Sequence, residues 1–259
     1  MKMMDTVCID CLPQNAKKYY RNFAVIAVDV IRATTTIVTA VALGRRCFAA
    51  ASLKAAYRVA DRLHSPLLMG EIGGERPALF EMNNSPAKLA ARTDLDRPVI
   101  VLSSSGTKLI HKVRSCKAVY LACLRNHVAV ASYVAGRHAQ VAVIGAGSRG
   151  EFREEDQLCC AWIAAHLMKA GYQIRDNNTA RLIQRWENAP PTGFLVSKSV
   201  DYLRKTNQLD DLDFILSRVN DVDSVCTLDH DEVVTAREEV QSRTLPECTS
   251  APSRSVGLG

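Results

Sequence analysis

The stretch from Ala24 to Gly44, AVIAVDVIRATTTIVTAVALG, decides how the rest of the chain is read. An apolar run closed by a single acid, Asp29, has the length and composition of a strand buried on both faces. After a short turn carrying Arg32, the three threonines Thr34, Thr35 and Thr36 open a helix, with Ile37, Val38 and Val41 as its core face and Gly44 as its stop. Acid, arginine and hydroxyls thus collect at one strand end. A helix N-terminus presents unpaired N–H groups and partial positive charge, which suits a phosphate or another anion. Arg32 adds a bidentate clamp for the same anion. Asp29, which a bare phosphate would repel, belongs there if a cation or a reacting atom lies between them. The plainer reading makes Thr34 or Thr35 an N-cap, and the two readings are compatible.

The same strand-then-helix unit recurs along the rest of the chain. Residues 5–12 alternate as a first strand, Cys47 to Ala51 form a short one, and SLKAAYRVADRLH follows as a helix capped by Ser52. A strand from Pro66 to Met69 enters a glycine-rich loop that ends at Asn84-Ser85-Pro86, an N-cap followed by proline at the first helical position. Pro98 to Leu102 lead through Ser105, Gly106 and Thr107 into another helix, and Ala118 to Leu124 precede a helix over Asn126 to Ala135. The strand Gln140 to Ile144 opens into GAGSRG, which carries Arg149 and precedes a long helix with Glu154, Glu155 and Asp156 in its first turn. GAGSRG could be mistaken for a dinucleotide fingerprint, but no acid at the end of a following strand is evident, so no such cofactor site is expected. From residue 175 the pattern is mostly helical, with a strand pair around SVCTLDHDEVVTA, and residues 237–259 read as a disordered tail.

These units predict an α/β fold, a layered α/β/α arrangement around a largely parallel or mixed sheet, with helical and short β additions toward the C-terminus. Residues 1–236 are read as one α/β domain, or as two intertwined lobes of about 1–150 and 151–236. In such sheets ligands bind beyond the carboxyl ends of strands, so the loops after Asp29, Met69, Leu102 and Ile144 are expected to converge.

Composition narrows the function classes. No apolar run approaches a bilayer-spanning length and no signal-peptide core is evident, so a cytoplasmic protein without a membrane is expected. The chain has nine cysteines, an odd number placed mainly in apolar patterns, which suits reduced core residues. Cys8 and Cys11 form an isolated C-x-x-C without a second ligand pair, and strand packing accounts for them. The net charge of +6 comes from scattered basic residues without interleaved aromatics, so no nucleic-acid partner is expected. The sequence is compatible with a homo-oligomer but does not specify one.

The segments VDVIRATTTIVTA, GE-x8-F-x3-NSP, SGT and G-x-x-G-x-F-x-x-ED-x-x-C, in this order, resemble the 2-phosphosulfolactate phosphatase family from about Ala24 to Ala236. The resemblance implies a Mg²⁺-dependent hydrolase of a small phosphorylated 2-hydroxy acid. It assigns catalytic roles to Asp29, Arg32, Glu71 and Asp156, and substrate or phosphate contacts to Thr34, Thr35, Thr36, Asn84, Ser85, Ser105, Gly106, Thr107 and Arg149. Asp29, Asp156 and Glu155 are the implied metal ligands. The chain departs from the family pattern at Ile72, at Phe80-Glu81-Met82-Asn83-Asn84 and at Ser105, all in loops facing the expected substrate. These departures keep open a rival reading, a phosphometabolite-binding protein without turnover, and another small phosphomonoester as substrate. Whether Asp29 attacks phosphorus or holds the metal also stays open, although a metal-activated water needs no covalent step.

Overall fold

The computed structural model describes residues 4–236; the expected tail over 237–259 lies outside the described residues. The chain runs β1 (Thr6–Asp10), β2 (Ala24–Val28), α1 (Ala33–Ala42), β3 (Cys47–Ala50), α2 (Leu53–Ala60), β4 (Leu67–Gly70) and α3 (Pro86–Ala90). It continues through β5 (Val99–Leu102), α4 (Gly106–Val113), β6 (Ala118–Ala122), α5 (His127–Val134), β7 (Gln140–Gly145) and α6 (Glu154–Lys169). The remainder is β8 (Gln173–Ile174), α7 (Asn177–Trp186), α8 (Lys198–Lys205), α9 (Leu209–Ser217), β9 (Cys226–Asp229) and β10 (Glu232–Thr235).

All ten strands belong to one mixed sheet in the order β4-β5-β3-β10-β9-β6-β2-β7-β1-β8. Two parallel runs, β4-β5-β3 and β6-β2-β7-β1-β8, are joined by the β9–β10 hairpin, which pairs antiparallel with β3 on one side and β6 on the other. The fold is therefore α/β, as expected, with helices on the sheet's faces.

β2 explains why the run AVIAV is apolar throughout. Ala24, Ile26 and Val28 pack on one face with α5, α6 and α7, while Val25 and Ala27 face the other way against α1 and α4. The second of these clusters also takes in Val99 and Val101 of β5 and Leu67 and Met69 of β4. α1 and α4 thus pack against both parallel runs, and this brings the ends of β2, β4, β5 and β7 around one cavity.

Ser52 and Ser85 cap their helices as read from the sequence, accepting from the N–H groups of Ala55 and Lys88, each at 3.2 Å. The start of α1 differs from the N-cap reading. Arg32 occupies the cap position without a side-chain bond, and Thr34 to Thr36 lie inside the first turn. The capping acceptor is Asp29, whose Oδ1 takes the Ala33 N–H at 3.2 Å. The helix ends before Gly44, at φ 75°, as expected. The two-residue strand β8 and the 3-10 turns over Pro13–Tyr19 and Pro191–Phe194 have no counterpart in the sequence reading. No helix among the described residues is long and apolar enough to cross a membrane.

Candidate active site

The turn after β2 folds around its own polar groups. Thr34 Oγ1 accepts the Asp29 N–H and donates to the Asp29 carbonyl, each at 2.8 Å, and Thr35 Oγ1 donates to the Val30 carbonyl at 2.8 Å. These hydroxyls shape the loop that presents Asp29. Thr36 Oγ1 is buried without a partner among the described residues, and none of the three threonines lines the cavity.

That cavity encloses about 590 Å³. Of the residues proposed from sequence, Asp29, Arg32, Glu71, Asn84, Ser105 and Arg149 line it. Asp29 reaches it from the end of β2, Glu71 from the end of β4, and Ser105 from the start of α4. Asn84 is buried, and its Oδ1 has no hydrogen-bond partner among the described residues. A buried acceptor without a donor is costly, so this oxygen is suited to a ligand group.

Glu71 is tightly held. Its Oε1 accepts from the Ser104 N–H at 2.6 Å, and its Oε2 accepts from the Gly74 N–H at 2.8 Å and the Ser104 hydroxyl at 2.9 Å. Ser85 and Thr107, read as ligand contacts, are used locally. Ser85 donates to Asp211, and Thr107 Oγ1 accepts the Ser103 N–H at 2.9 Å and donates to the Ser103 carbonyl at 3.0 Å. Gly106 matters for a different reason: a Cβ there would overlap Asp29 Oδ2 and lie 2.5 Å from Ala33 Cβ. Only a glycine lets α4 start this close to the Asp29 carboxylate.

Behind Asp29 lie two further acids that do not line the cavity. Asp156 accepts from the Val30 N–H at 2.8 Å and the Gly147 N–H at 3.1 Å. Glu155 is fully buried, and neither of its oxygens has a hydrogen-bond partner at good geometry among the described residues. The nearby hydroxyls of Ser199 and Ser197 favour its charged form, but burial outweighs them and pushes its pKa up. Burial, then the charges of Asp29 and Glu155, pushes Asp156 well up from its ordinary value. The expected ligand set of Asp29, Glu155 and Asp156 does not converge, and among the described residues no group of three or more His, Cys, Asp or Glu side chains does. The reason is geometric: Asp156 is turned to the backbone of Val30 and Gly147.

Asp29 carries the electrostatic consequence. Burial, with added repulsion from Glu71 and Glu155, pushes its carboxyl from an ordinary 3.8 up to about 7, against the opposing Ala33 N–H bond and the charge of Arg32. Because the native state binds this proton more tightly than the unfolded state, Asp29 weakens the fold as pH rises from about 4 to about 7. Protein stripped of divalent cations is expected to melt at progressively lower temperature across that window, and Asp29→Asn to flatten the slope. Melting curves at stepped pH check this; an unchanged slope in the variant would contradict the assignment.

Sequence reasoning missed most of the cavity wall. Ser103, Ser104, Ser148, Glu151, Arg153, Lys198, Ser199 and Tyr202 line it, and Tyr202 donates to the Gly74 carbonyl at 2.7 Å. Around the cavity, Glu151 pairs with Lys198 at 2.6 Å and Arg153 at 3.4 Å. Arg32 Nη1 donates to Asp211 Oδ2 and Gln208 Oε1, both at 2.5 Å, and neither partner was anticipated.

A curated relative from Pseudothermotoga lettingae, described as a probable 2-phosphosulfolactate phosphatase, is 36% identical over 142 residues, covering 55% of this chain and 61% of its own. One from Carboxydothermus hydrogenoformans with the same description is 33% identical over 145 residues, covering 56% and 60%. A third so described, from Parasynechococcus marenigrum, is 31% identical over 176 residues, covering 64% and 73%. The matched stretch thus spans about 60% of the length of the first two relatives. The model of one family covers most of the described sheet, from Cys11 in the loop after β1 to Asp231 at the turn of the β9–β10 hairpin. With 2-phosphosulpholactate phosphatase as that family's description and residues 11–231 as its span, the chain belongs to the 2-phosphosulpholactate phosphatase family.

Proposed function

We propose that this chain is a Mg²⁺-dependent phosphatase that hydrolyses a small phosphorylated 2-hydroxy acid, with 2-phosphosulfolactate the substrate named by the family description. The observation that carries the reading is the Asp29 carboxylate. Its Oδ1 is used by the Ala33 N–H, its Oδ2 accepts no hydrogen bond among the described residues, and it lines a cavity shared with Arg32, Arg149, Arg153 and Lys198. Arg32 and Arg149, with Arg153 and Lys198 that share Glu151, suit a substrate carrying a phosphate and further acidic groups.

The donor set fits Mg²⁺. Asp29 and Glu71 would hold it, both hard oxygen donors, and one or two carboxylates with waters and phosphate oxygens complete its preferred shell. Burial, with added repulsion from Glu71 and Glu155, raises the Asp29 pKa, and a divalent cation would relieve both by compensating the buried charge. When bound, Mg²⁺ neutralises phosphoryl charge and lowers the pKa of a water. Arg32 binds and orients the phosphoryl oxygens, the Ser105 hydroxyl donates to an anionic oxygen of the substrate, Asn84 Oδ1 accepts from water in the cavity, and Glu71 keeps the Ser104 to Gly74 wall in place. The free thiols of eight described cysteines support a cytoplasmic, reducing setting.

Phosphate release from a panel of phosphorylated hydroxy acids tests the reading. Activity is expected to vanish with EDTA and to return with Mg²⁺ or Mn²⁺ but not to need Zn²⁺, since among the described residues no Cys or His lines the cavity with the acids. Full activity after exhaustive chelation would rule out the metal, and phosphate binding without turnover of any panel member would favour the binding-protein reading.

A further inference from the structure

One end of the Arg32 guanidinium is tied to α9. Its Nη1 donates at 2.5 Å to Asp211 Oδ2 and to Gln208 Oε1, and the arginine and aspartate side chains are only 4% and 2% exposed. The other Asp211 oxygen, Oδ1, accepts the Ser85 hydroxyl at 2.6 Å and the Ala87 N–H at 3.1 Å, at the start of α3. Nε and Nη2 of Arg32 have no hydrogen-bond partner among the described residues, and Arg32 lines the cavity. The guanidinium is therefore fixed through Nη1 and open along its Nε–Nη2 edge.

We propose that Asp211, assisted by Gln208, is the positioning residue for substrate recognition: it locks Arg32 so that the open Nε–Nη2 edge receives two oxygens of a phosphate monoester. The inference rests on the phosphatase reading and deepens it by assigning how the phosphate is oriented. A paired edge of two N–H groups matches two phosphoryl oxygens at a fixed spacing, which gives geometry as well as charge. Arg32 does not swing away from Asp211 to do this. Breaking a buried pair would leave the Asp211 carboxylate uncompensated, so the arginine stays where α9 holds it. Ser85 takes its place in the same device. Its hydroxyl is a donor to Asp211, joining α3 and α9 behind the arginine.

The test reads phosphate affinity and turnover separately. Titration calorimetry with inorganic phosphate in the presence of Mg²⁺ is run on the wild type, Asp211→Asn, Arg32→Ala, the double variant and Gln208→Ala, beside KM and kcat for the best panel substrate. Asp211→Asn is expected to weaken phosphate binding and raise KM on the order of ten- to a hundredfold, as misplacement of a binding group does. The double variant should bind no more weakly than Arg32→Ala alone, because Asp211 acts through the arginine. Gln208→Ala, which leaves the ion pair in place, should cost about two- to tenfold. A purely structural Asp211 would lower the melting temperature and leave affinity per folded molecule unchanged, which overturns the proposal, as do losses that multiply in the double variant. If Asp211→Asn fails to fold, Gln208→Ala decides, and unchanged affinity there is likewise an overturning result. Wild-type protein that binds phosphate without turnover removes the phosphatase reading but leaves this one measurable by affinity. Wild-type protein that binds no phosphate removes both.

Discussion

Asp29→Asn is expected to abolish turnover and leave the protein folded, with a melting temperature equal to or above that of the wild type at pH 7. Asparagine keeps an Oδ1 that can accept the Ala33 N–H, so the start of α1 survives. It removes a buried charge that Glu71 and Glu155 repel, which explains why stability does not fall. What it cannot supply is the charge of a carboxylate whose Oδ2 accepts no hydrogen bond among the described residues. Loss of a charged group aimed at the reacting centre costs on the order of a hundredfold or more in rate. A folded, destabilised variant that turns over substrate at the wild-type rate would place the chemistry elsewhere.

Gly106→Ala tests the same carboxylate without touching it. The added methyl overlaps Asp29 Oδ2, and the neighbouring Ala33 Cβ, 2.5 Å away, sits on the rigid first turn of α1. Neither neighbour is the flexible end of a long side chain, so Asp29 must rotate or α4 must shift. Overpacking of this kind costs about 1–3 kcal/mol, and displacing a reacting group by about an ångström costs on the order of a hundredfold in rate. Urea unfolding and kcat/KM measured on the same preparation check both effects. Wild-type kcat/KM in a folded Gly106→Ala protein would mean that Asp29 is not the centre of the site.

Elements held by short-range interactions were legible in the sequence, and those held by long-range ones were not. β2, β5 and β7 were legible because a strand buried on both faces must be apolar at every position, and the Ser52 and Ser85 caps because their partners lie three residues away. The hairpin around Asp229 to Glu232 was legible as a strand pair, but its insertion between the two parallel runs was not. Nothing local distinguishes an added edge from a central bridge. At the site, Asp29, Arg32, Glu71, Asn84 and Ser105 could be read because each follows or precedes a regular element in a polar junction. Asp211 could not: it lies 179 positions from Arg32 in a stretch whose pattern says only helix. The same holds for Lys198 and Tyr202 of α8. The three acids at the start of α6 show a subtler limit. A first-turn Glu-Glu-Asp is ordinary on a surface helix, and only packing against the turn after β2 reveals that Glu155 and Asp156 are buried while Glu154 is not.

The β9–β10 hairpin bears on how the chain is made. Every other strand of both parallel runs leaves the ribosome before residue 226, yet until the hairpin arrives β3 and β6 each end in an open row of N–H and C=O groups. A nascent chain that pauses short of Cys226 carries two unpaired strand margins, both bordered by apolar residues such as Cys47 and Leu121. Closure of the sheet is thus a late event that joins sequence-distant partners, the slow kind of contact in folding. Until then those two margins are the places where pairing with another chain is expected.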